Sequence, residues 1–133
     1  MSSLELLFEA ALAVQAKAYA PYSRFKVGAA IRTPNGGVFA GCNVEIAAYP
    51  EGSCAETAAI SAMVAAGESR IAEVVVVGDG DALVTPCGGC RQRIREFAAA
   101  ETPIHVAGRE GIRRSFTLDE LLPFAFGPDN LSA

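Results

Sequence analysis

The part of the chain that decides the fold spans residues 72–107, which read AEVVVVGDGDALVTPCGGCRQRIREFAAAETPIHVA. The apolar run at residues 72–78 predicts a strand that is buried on both faces, as strands in parallel sheets usually are. A helix is predicted from Cys87 to Ala99, entered through Pro86, and another strand from Ile104 to Ala107. A strand, a helix and a strand in this order are typical of an α/β protein.

The N-terminal part of the chain adds a helix and a pair of strands. Residues 3–19 predict an amphipathic helix, because apolar side chains recur at helical spacing, and Pro21 is expected to end it. Two β-type runs at residues 26–32 and 37–44 flank the dipeptide Asn35-Gly36. This dipeptide strongly favours a hairpin turn, so the two runs are predicted to pair.

Three further elements complete the predicted order. Ser53 is expected to cap a helix over residues 54–66, which Gly67 closes. A last strand is predicted over residues 112–116 and a short helix over residues 118–122. The resulting order is α-β-β-α-β-α-β-β-α, which predicts a three-layer α/β/α sandwich.

Length and composition limit the classes of protein. The chain has 133 residues, 51% of them hydrophobic, and 11 Lys and Arg against 15 Asp and Glu give a net charge of −4. We therefore expect one domain over residues 1–133, large enough to fold without a disulfide or a metal. Binding to duplex nucleic acid or to anionic membranes is disfavoured, because both need clustered basic residues. The mean hydropathy of +0.29 argues against a disordered chain.

The chain also lacks the pattern of an exported or membrane protein. Its longest uncharged run, residues 33–44, is much shorter than the roughly 18 apolar residues of a membrane span. Glu5, Glu9 and Lys17 interrupt the N-terminal segment, so we find no signal peptide there. We therefore predict a cytoplasmic protein, in which four cysteines are more readily metal ligands, reactive thiols or buried residues than disulfides.

The strongest chemical feature is a set of three cysteines at the starts of two predicted helices. Cys54 precedes one helix, and Cys87 and Cys90 lie in the motif Pro-Cys-Gly-Gly-Cys at the start of the next. Cys87 and Cys90 are close enough to share a helical turn, and helix N-termini favour the thiolate form. Three converging thiolates match a zinc site with one open coordination position, which is the catalytic pattern.

Glu56 adds an acid–base group to this site. It follows Cys54 by two residues, so its carboxylate can reach a water on the metal without being a ligand itself. There it can take a proton from the water and deliver it to a substrate. A three-cysteine zinc site with a non-ligand Glu and a P-C-x-x-C motif is characteristic of zinc nucleobase deaminases.

Two other interpretations of the cysteines stay open at this point. A lone Cys-x-x-Cys also occurs in thioredoxin-type redox sites, but that leaves Cys54 and Glu56 unexplained. A closed structural zinc site would need a fourth ligand, for which Cys42 and His105 are the candidates. Both lie in β-type runs, where packing in or beside the core is the simpler interpretation.

Five motifs together resemble those of the small homotetrameric cytidine deaminases. They occur in the family's order over residues 20–128: PYSxFxVGAA from Pro21, GCNVE from Gly41, YPxGxCAE from Tyr49, PCGGCRQ from Pro86 and LLPxxFGP from Leu121. The resemblance implies the cytidine deaminase-like fold, a three-layer α/β/α sandwich with a mixed five-stranded sheet. It also implies one zinc ion per subunit and hydrolytic deamination of cytidine and 2′-deoxycytidine in pyrimidine salvage.

The resemblance assigns roles to the residues around the metal. Zinc binding falls to Cys54, Cys87 and Cys90. Glu56 would protonate the pyrimidine N3, activate the attacking water and pass a proton to the leaving ammonia. The backbone N–H of Ala55 would hold the base O2, and the C=O of Thr85 or Pro86 would accept a hydrogen bond from the 4-amino group.

It also assigns the contacts to the rest of a nucleoside. Asn43 and Glu45 would bind the ribose 3′-hydroxyl, and Phe25 would pack against the base. Without the resemblance, an ordinary polar strand end would be the favoured explanation of Asn43 and Glu45, and core packing would explain Phe25 equally well. Tyr49 and Phe126 would reach into a neighbouring subunit's site, so that the active sites are complete only in the tetramer.

Two departures from the family pattern bear on the substrate. Thr57 stands where the family usually has an Arg that offsets the negative charge of zinc with three thiolates, and Arg91 and the helix N-termini are expected to compensate. Ile46 replaces the usual Asn after Glu45. Related deaminases of the antibiotic blasticidin S also lack that Arg, but they lack the Asn-x-Glu pair that this chain keeps as Asn43 and Glu45. A nucleoside is therefore the expected substrate.

There are three alternatives to this function. One is a same-fold aminohydrolase that acts on another amino-heterocycle such as blasticidin S. Another is a non-catalytic zinc-binding protein, which Glu56 argues against because zinc binding alone does not require it. The third, editing of a base in single-stranded nucleic acid, would need a basic groove with stacking aromatic residues. The chain is acidic and contains no Trp, so neither nucleic acid nor membrane is an expected partner.

Overall fold

The structure, a computed structural model, describes residues 1–132 and contains helices on both sides of one sheet. The helices are α1 (Ser3–Gln15), α2 (Ala55–Ala65), α3 (Gly88–Phe97) and α4 (Leu118–Leu121). The strands are β1 (Val27–Arg32), β2 (Val38–Cys42), β3 (Glu73–Gly78), β4 (Pro103–Gly108) and β5 (Gly111–Thr117). Single 3₁₀ turns lie at Tyr49–Glu51 and Pro128–Asn130. The predicted order of helices and strands is confirmed.

The five strands form a mixed sheet in the order β2-β1-β3-β4-β5. β3 and β4 are parallel, whereas the other neighbouring strands are antiparallel. β3 occupies the centre, and every residue after its first is buried. The prediction of a strand covered on both faces is therefore confirmed, because the apolar run at 72–78 lies where helices cover the sheet from both sides.

Successive valines of β3 belong to the two different cores. Val74 and Val76 pack on one face with Met63 of α2 and Ile94 of α3. On the other face, the remaining β3 valines pack against α1: Val75 and Val77 contact a cluster that includes Leu7 and Ala11. The sheet thus separates α1 from α2 and α3, and the predicted three-layer sandwich is confirmed.

None of the described helices is long and apolar enough to cross a membrane.

The first helix is shorter than its sequence pattern predicts. It ends at Gln15 rather than at residue 19. The Tyr19 N–H donates to the Asn43 C=O at 3.0 Å, and the Tyr19 C=O accepts from the Glu45 N–H at 2.8 Å. This pairing with a distant segment draws the chain out of the helix, and it places the start of the 20–25 loop beside Asn43 and Glu45.

The start of α2 also differs from the prediction. Cys54, not Ser53, is its N-cap, and no side chain caps the helix. Ser53 instead exchanges two backbone hydrogen bonds with Val44, each of 3.0 Å. A Cβ at Gly41 would lie 2.5 Å from the Ala58 Cβ, so β2 and α2 touch closely at this point. The close contact holds Cys54 near the end of β2.

Candidate active site

The three cysteines singled out above meet where α2 and α3 begin. Cys54 and Cys87 are the N-caps of the two helices, and Cys90 lies in the first turn of α3. Their Sγ atoms all lie within 4.8 Å of one another, and those of Cys54 and Cys87 are 3.9 Å apart. The three sulfurs are therefore positioned to bind one metal ion. Within residues 1–132, no other group of His, Cys, Asp or Glu side chains is clustered in this way.

The chemistry of this cluster fits zinc with an open coordination position. Thiolates are preferred zinc ligands, and all four cysteines of the chain are free. Neither candidate fourth ligand joins the cluster, and His105 is engaged at both ring nitrogens. Its Nδ1 lies 2.6 Å from the Ser115 Oγ and its Nε2 lies 2.6 Å from the Glu73 Oε2. Three protein ligands leave the fourth position of a tetrahedral zinc ion available to another molecule.

The three thiols differ in their acidity. Burial raises the pKa values of Cys54 and Cys90 above the ordinary value of a thiol. Burial acts in the same direction on Cys87, but hydrogen bonds from Cys90 and Cys54 outweigh it and lower the Cys87 pKa. Cys87 is therefore the thiol most readily ionised before a metal is bound.

Glu56 lies beside the cysteines in the first turn of α2 and is only 4% exposed. Burial raises the pKa of its carboxyl group, which a hydrogen bond from Cys90 and the charge of Arg93 counteract only in part. A carboxyl group with a raised pKa can hold and release a proton at pH values closer to neutrality, as an acid–base catalyst must.

Two adjoining cavities extend from this cluster toward the surface. The inner one has a volume of about 200 Å³, and its walls include Glu56, Cys54, Cys87, Ala55, Asn43, Val27, Val84 and Thr85. The outer one has a volume of about 520 Å³, and its walls include Tyr22, Ser23, Glu45, Ile46, Tyr49, Asn43 and Cys54. Asn43 and Cys54 belong to both cavities. The cavity beside Glu56 and the cavity beside Glu45 therefore share part of their walls.

Backbone groups supply further polar contacts in the inner cavity. Ala55 is the first residue of α2, and the N–H of a first helical residue has no acceptor within the helix. Of the two carbonyls considered for the 4-amino group, that of Pro86 already accepts from Arg91 Nε at 2.7 Å. Thr85 lines the inner cavity, so its carbonyl is the better candidate.

Asn43 and Glu45 line the outer cavity but also hold the loop that precedes β1. The Asn43 Oδ1 accepts from the Val27 N–H at 2.8 Å, and the Asn43 Nδ2 donates to the Phe25 C=O at 2.9 Å. The Glu45 carboxylate accepts from the hydroxyl of Ser23 and from two backbone N–H groups of the loop. Hydrogen bonds from Ser23 lower the Glu45 pKa, so this carboxylate stays ionised. The sequence pattern did not reveal this second role.

The three aromatic candidates occupy different surroundings. Tyr49 is 75% exposed and lines the outer cavity of its own chain, with its ring edge-on to Tyr22 at 6.0 Å. Phe25 is 39% exposed and lines neither of the two cavities. Phe126 is 57% exposed, and its carbonyl accepts from Gln92 Nε2 at 2.7 Å. Within one chain, the structure therefore brings only Tyr49 of the three to the site.

Arg91 was expected to compensate the negative charge of the thiolates, but its guanidinium binds other groups. The Arg91 guanidinium donates to the Pro86 and Leu121 carbonyls and to the Thr85 hydroxyl, and to no sulfur. It therefore orders the loop before α3 instead of compensating the thiolates directly.

The groups beside the Cys90 sulfur are Thr57 and Arg93. The Thr57 Oγ1 is 3.8 Å and the Arg93 Nη1 is 4.0 Å from Cys90 Sγ. Arg93 was missed by the sequence analysis. Its position three residues after Cys90 could have indicated that the two side chains are close, because residues with this spacing are neighbours on a helix surface.

Comparison with known proteins agrees with this geometry. A family model described as "Cytidine and deoxycytidylate deaminase zinc-binding region" matches residues 1–106. The chain belongs to this family. The matched range contains all three cysteines and Glu56, so the family resemblance seen in the sequence motifs is confirmed.

Individual relatives extend the similarity to nearly the whole chain. A cytidine deaminase of Sporosarcina psychrophila is 40% identical over 116 residues, which cover 87% of this chain and 85% of the relative. One of Halalkalibacterium halodurans is 36% identical and covers 96% of this chain and 97% of the relative. A crystal structure of cytidine deaminase from Burkholderia pseudomallei, 43% identical, has a TM-score of 0.88 and covers 95% of this chain and 100% of that one. The fold of this family is therefore the fold of this chain.

Proposed function

We propose that this chain catalyses the hydrolytic deamination of cytidine and 2′-deoxycytidine to uridine and 2′-deoxyuridine. One observation carries the proposal: the buried Glu56 carboxyl shares a cavity of about 200 Å³ with Cys54 and Cys87, two of the three cysteines that are positioned to bind a metal ion. A purely structural zinc site has no need of this acid–base group. Relatives of similar length that carry the name cytidine deaminase add support.

Glu56 is proposed to carry the protons of the reaction. Zinc held by Cys54, Cys87 and Cys90 would lower the pKa of a bound water to about 7 and so supply hydroxide at neutral pH. Glu56 takes the proton released by the attacking water and donates it to N3 of the pyrimidine, which makes C4 more electrophilic. It then takes the second proton from the new hydroxyl group on C4 and passes it to the amino group. The C4–N bond breaks as the C4 carbonyl forms, so that one water is consumed and one ammonia leaves. The raised pKa of Glu56 suits both transfers.

Other residues of the two cavities are proposed to orient the nucleoside. The Ala55 N–H holds the base O2, and the Thr85 C=O accepts from the 4-amino group. Asn43 and Glu45 bind the ribose 3′-hydroxyl, in keeping with their place on the outer cavity. Phe25 packs against the base only if the loop held by Asn43 turns its ring inward. Arg91 acts indirectly, because it holds the Thr85–Pro86 segment in place.

The test is to incubate the purified zinc-loaded protein with cytidine, 2′-deoxycytidine, cytosine and blasticidin S and to follow ultraviolet absorbance. We expect both nucleosides to be deaminated and free cytosine to react far more slowly, because it cannot engage Asn43 and Glu45. Turnover of blasticidin S alone would assign the chain to the other amino-heterocycles. A protein with stoichiometric zinc that deaminates none of the four would overturn the proposal and leave the non-catalytic alternative.

We further propose that residues 1–133 act as one catalytic domain that assembles into a homotetramer. The high exposure of Tyr49 and Phe126 supports this arrangement, since both aromatic rings are available to neighbouring copies. Light scattering during size-exclusion chromatography should give a mass near four times the 13.8 kDa of one chain. A monomer with full deaminase activity would contradict it. A role in pyrimidine salvage and a location in the cytoplasm stay predictions.

A further inference from the structure

Three thiolates around a zinc ion carry a net negative charge that a neighbouring cation can offset, and Thr57 brings no charge to this site. The Thr57 hydroxyl lies 3.8 Å from the Cys90 Sγ, which makes it a neutral hydrogen-bonding partner of that sulfur. Arg91, the residue next to Cys90, directs its guanidinium to oxygen atoms of Pro86, Leu121 and Thr85. Neither Thr57 nor Arg91 therefore places a positive charge beside the cysteine sulfurs.

Arg93 is placed to supply this charge. Its Nη1 lies 4.0 Å from the Cys90 Sγ, one turn further along α3. A Cβ at Gly89 would lie 3.1 Å from the same Nη1, so the missing side chain at Gly89 leaves room for the guanidinium. None of the ion pairs among residues 1–132 involves Arg93, so no carboxylate holds it in another position.

The position of Arg93 separates it from the substrate. It lines a third cavity, whose walls are residues of α2 and α3 that include Thr57, Gln92 and Glu96, and it lines neither cavity that contains Glu56 or Glu45. We propose that Arg93 is a positioning residue whose positive charge, placed beside the Cys90 sulfur, offsets the negative charge of zinc with three thiolates and so helps to retain the zinc ion, in place of a cation at position 57. The inference rests on the proposed zinc site but not on the identity of the substrate.

The test measures zinc retention without any substrate. The zinc-loaded protein is mixed with an excess of a coloured chelator, and the rate of zinc release is followed by absorbance. Arg93→Gln should release zinc about 10-fold faster than the original protein. This is near the lower end of the effects known for groups that contact metal ligands. A small effect is expected because Arg93 is exposed to solvent, which weakens its charge. Arg70→Gln removes the same charge from an exposed residue between α2 and β3, and it should release zinc at the original rate.

Two rescue variants and a salt series distinguish charge from packing. Arg93→Lys and the double variant Arg93→Gln/Thr57→Arg both return a cation to the site, so each should recover most of the lost retention. The difference between the original protein and Arg93→Gln should shrink in 1 M salt, where the screening length falls to about 3 Å. Equal release from Arg93→Gln and Arg70→Gln would overturn the proposal. So would a loss that neither rescue variant reverses and that salt does not change, since only packing could then explain it.

Discussion

Glu56→Gln should lower kcat for cytidine by about 10²–10⁴-fold while one zinc ion per chain stays bound. Glutamine keeps the size of the side chain but cannot take a proton from water or pass one to N3. Because Glu56 is not among the clustered sulfur ligands, the metal content measured by atomic absorption should not change. Loss of zinc in this variant would make Glu56 a ligand and would contradict the role given to it.

A stability measurement excludes unfolding as the cause of that loss. Burial raises the pKa of Glu56 in the folded, metal-free chain above its unfolded value. Above the unfolded pKa, the unfolded chain therefore gives up the proton more readily, and the ionised carboxylate disfavours the fold at neutral pH. The neutral glutamine removes this penalty. Metal-free Glu56→Gln should thus unfold at the same or a higher temperature than the metal-free original at pH 7, and a clearly lower one would indicate damage to the fold.

Cys90→Ser should remove both the zinc and the activity while the chain stays folded. Cys90 is fully buried and one of the three sulfurs within 4.8 Å of one another, and serine is a poor replacement for a thiolate ligand. The two hydrophobic clusters on either side of the sheet contain none of the three cysteines. Circular dichroism should therefore show the original helix and strand content, and chelation of the original protein should have the same effect.

Cys42→Ser is the matched control for this experiment. Cys42 ends β2 and stands outside the metal cluster, so its replacement should keep one zinc ion and full turnover. If Cys90→Ser retained stoichiometric zinc, or if Cys42→Ser lost it, the three-cysteine assignment would be wrong. If the chelated protein unfolded, the metal would have a structural role that the size of the core does not require.

The elements that depend on local sequence patterns were predicted, whereas the details that depend on contacts between separate segments were not. The β3 run and the two central helices were predicted to within a few residues, because apolar periodicity and helix-entry motifs are local signals. The predicted end of α1 and the predicted N-cap of α2 were wrong. Tyr19 and Ser53 both pair with Val44, which lies outside the helix pattern that either residue was assigned to, and no local pattern reveals such a partner.

The same distinction holds for the candidate site. The residue types and their spacing predicted the three cysteines and Glu56, because metal binding and proton transfer each require particular side chains. The partners of those side chains could not be predicted. Asn43 and Glu45 hold the loop before β1, and Arg91 points to carbonyls, because each bonds to groups that only the folded chain brings within reach.

The family, the order of the elements and the residue types of the site could all be predicted before the structure was known, since these follow from side-chain identity and local periodicity. Only the tertiary structure decided which groups surround that chemistry. It placed Arg93 rather than Arg91 beside the Cys90 sulfur, and it brought Asn43 and Cys54 into the walls of both the cavity beside Glu56 and the cavity beside Glu45. The physical reason is that a hydrogen bond or a charge acts over a few ångströms, and distances of that kind between separate elements exist only after the sheet has assembled.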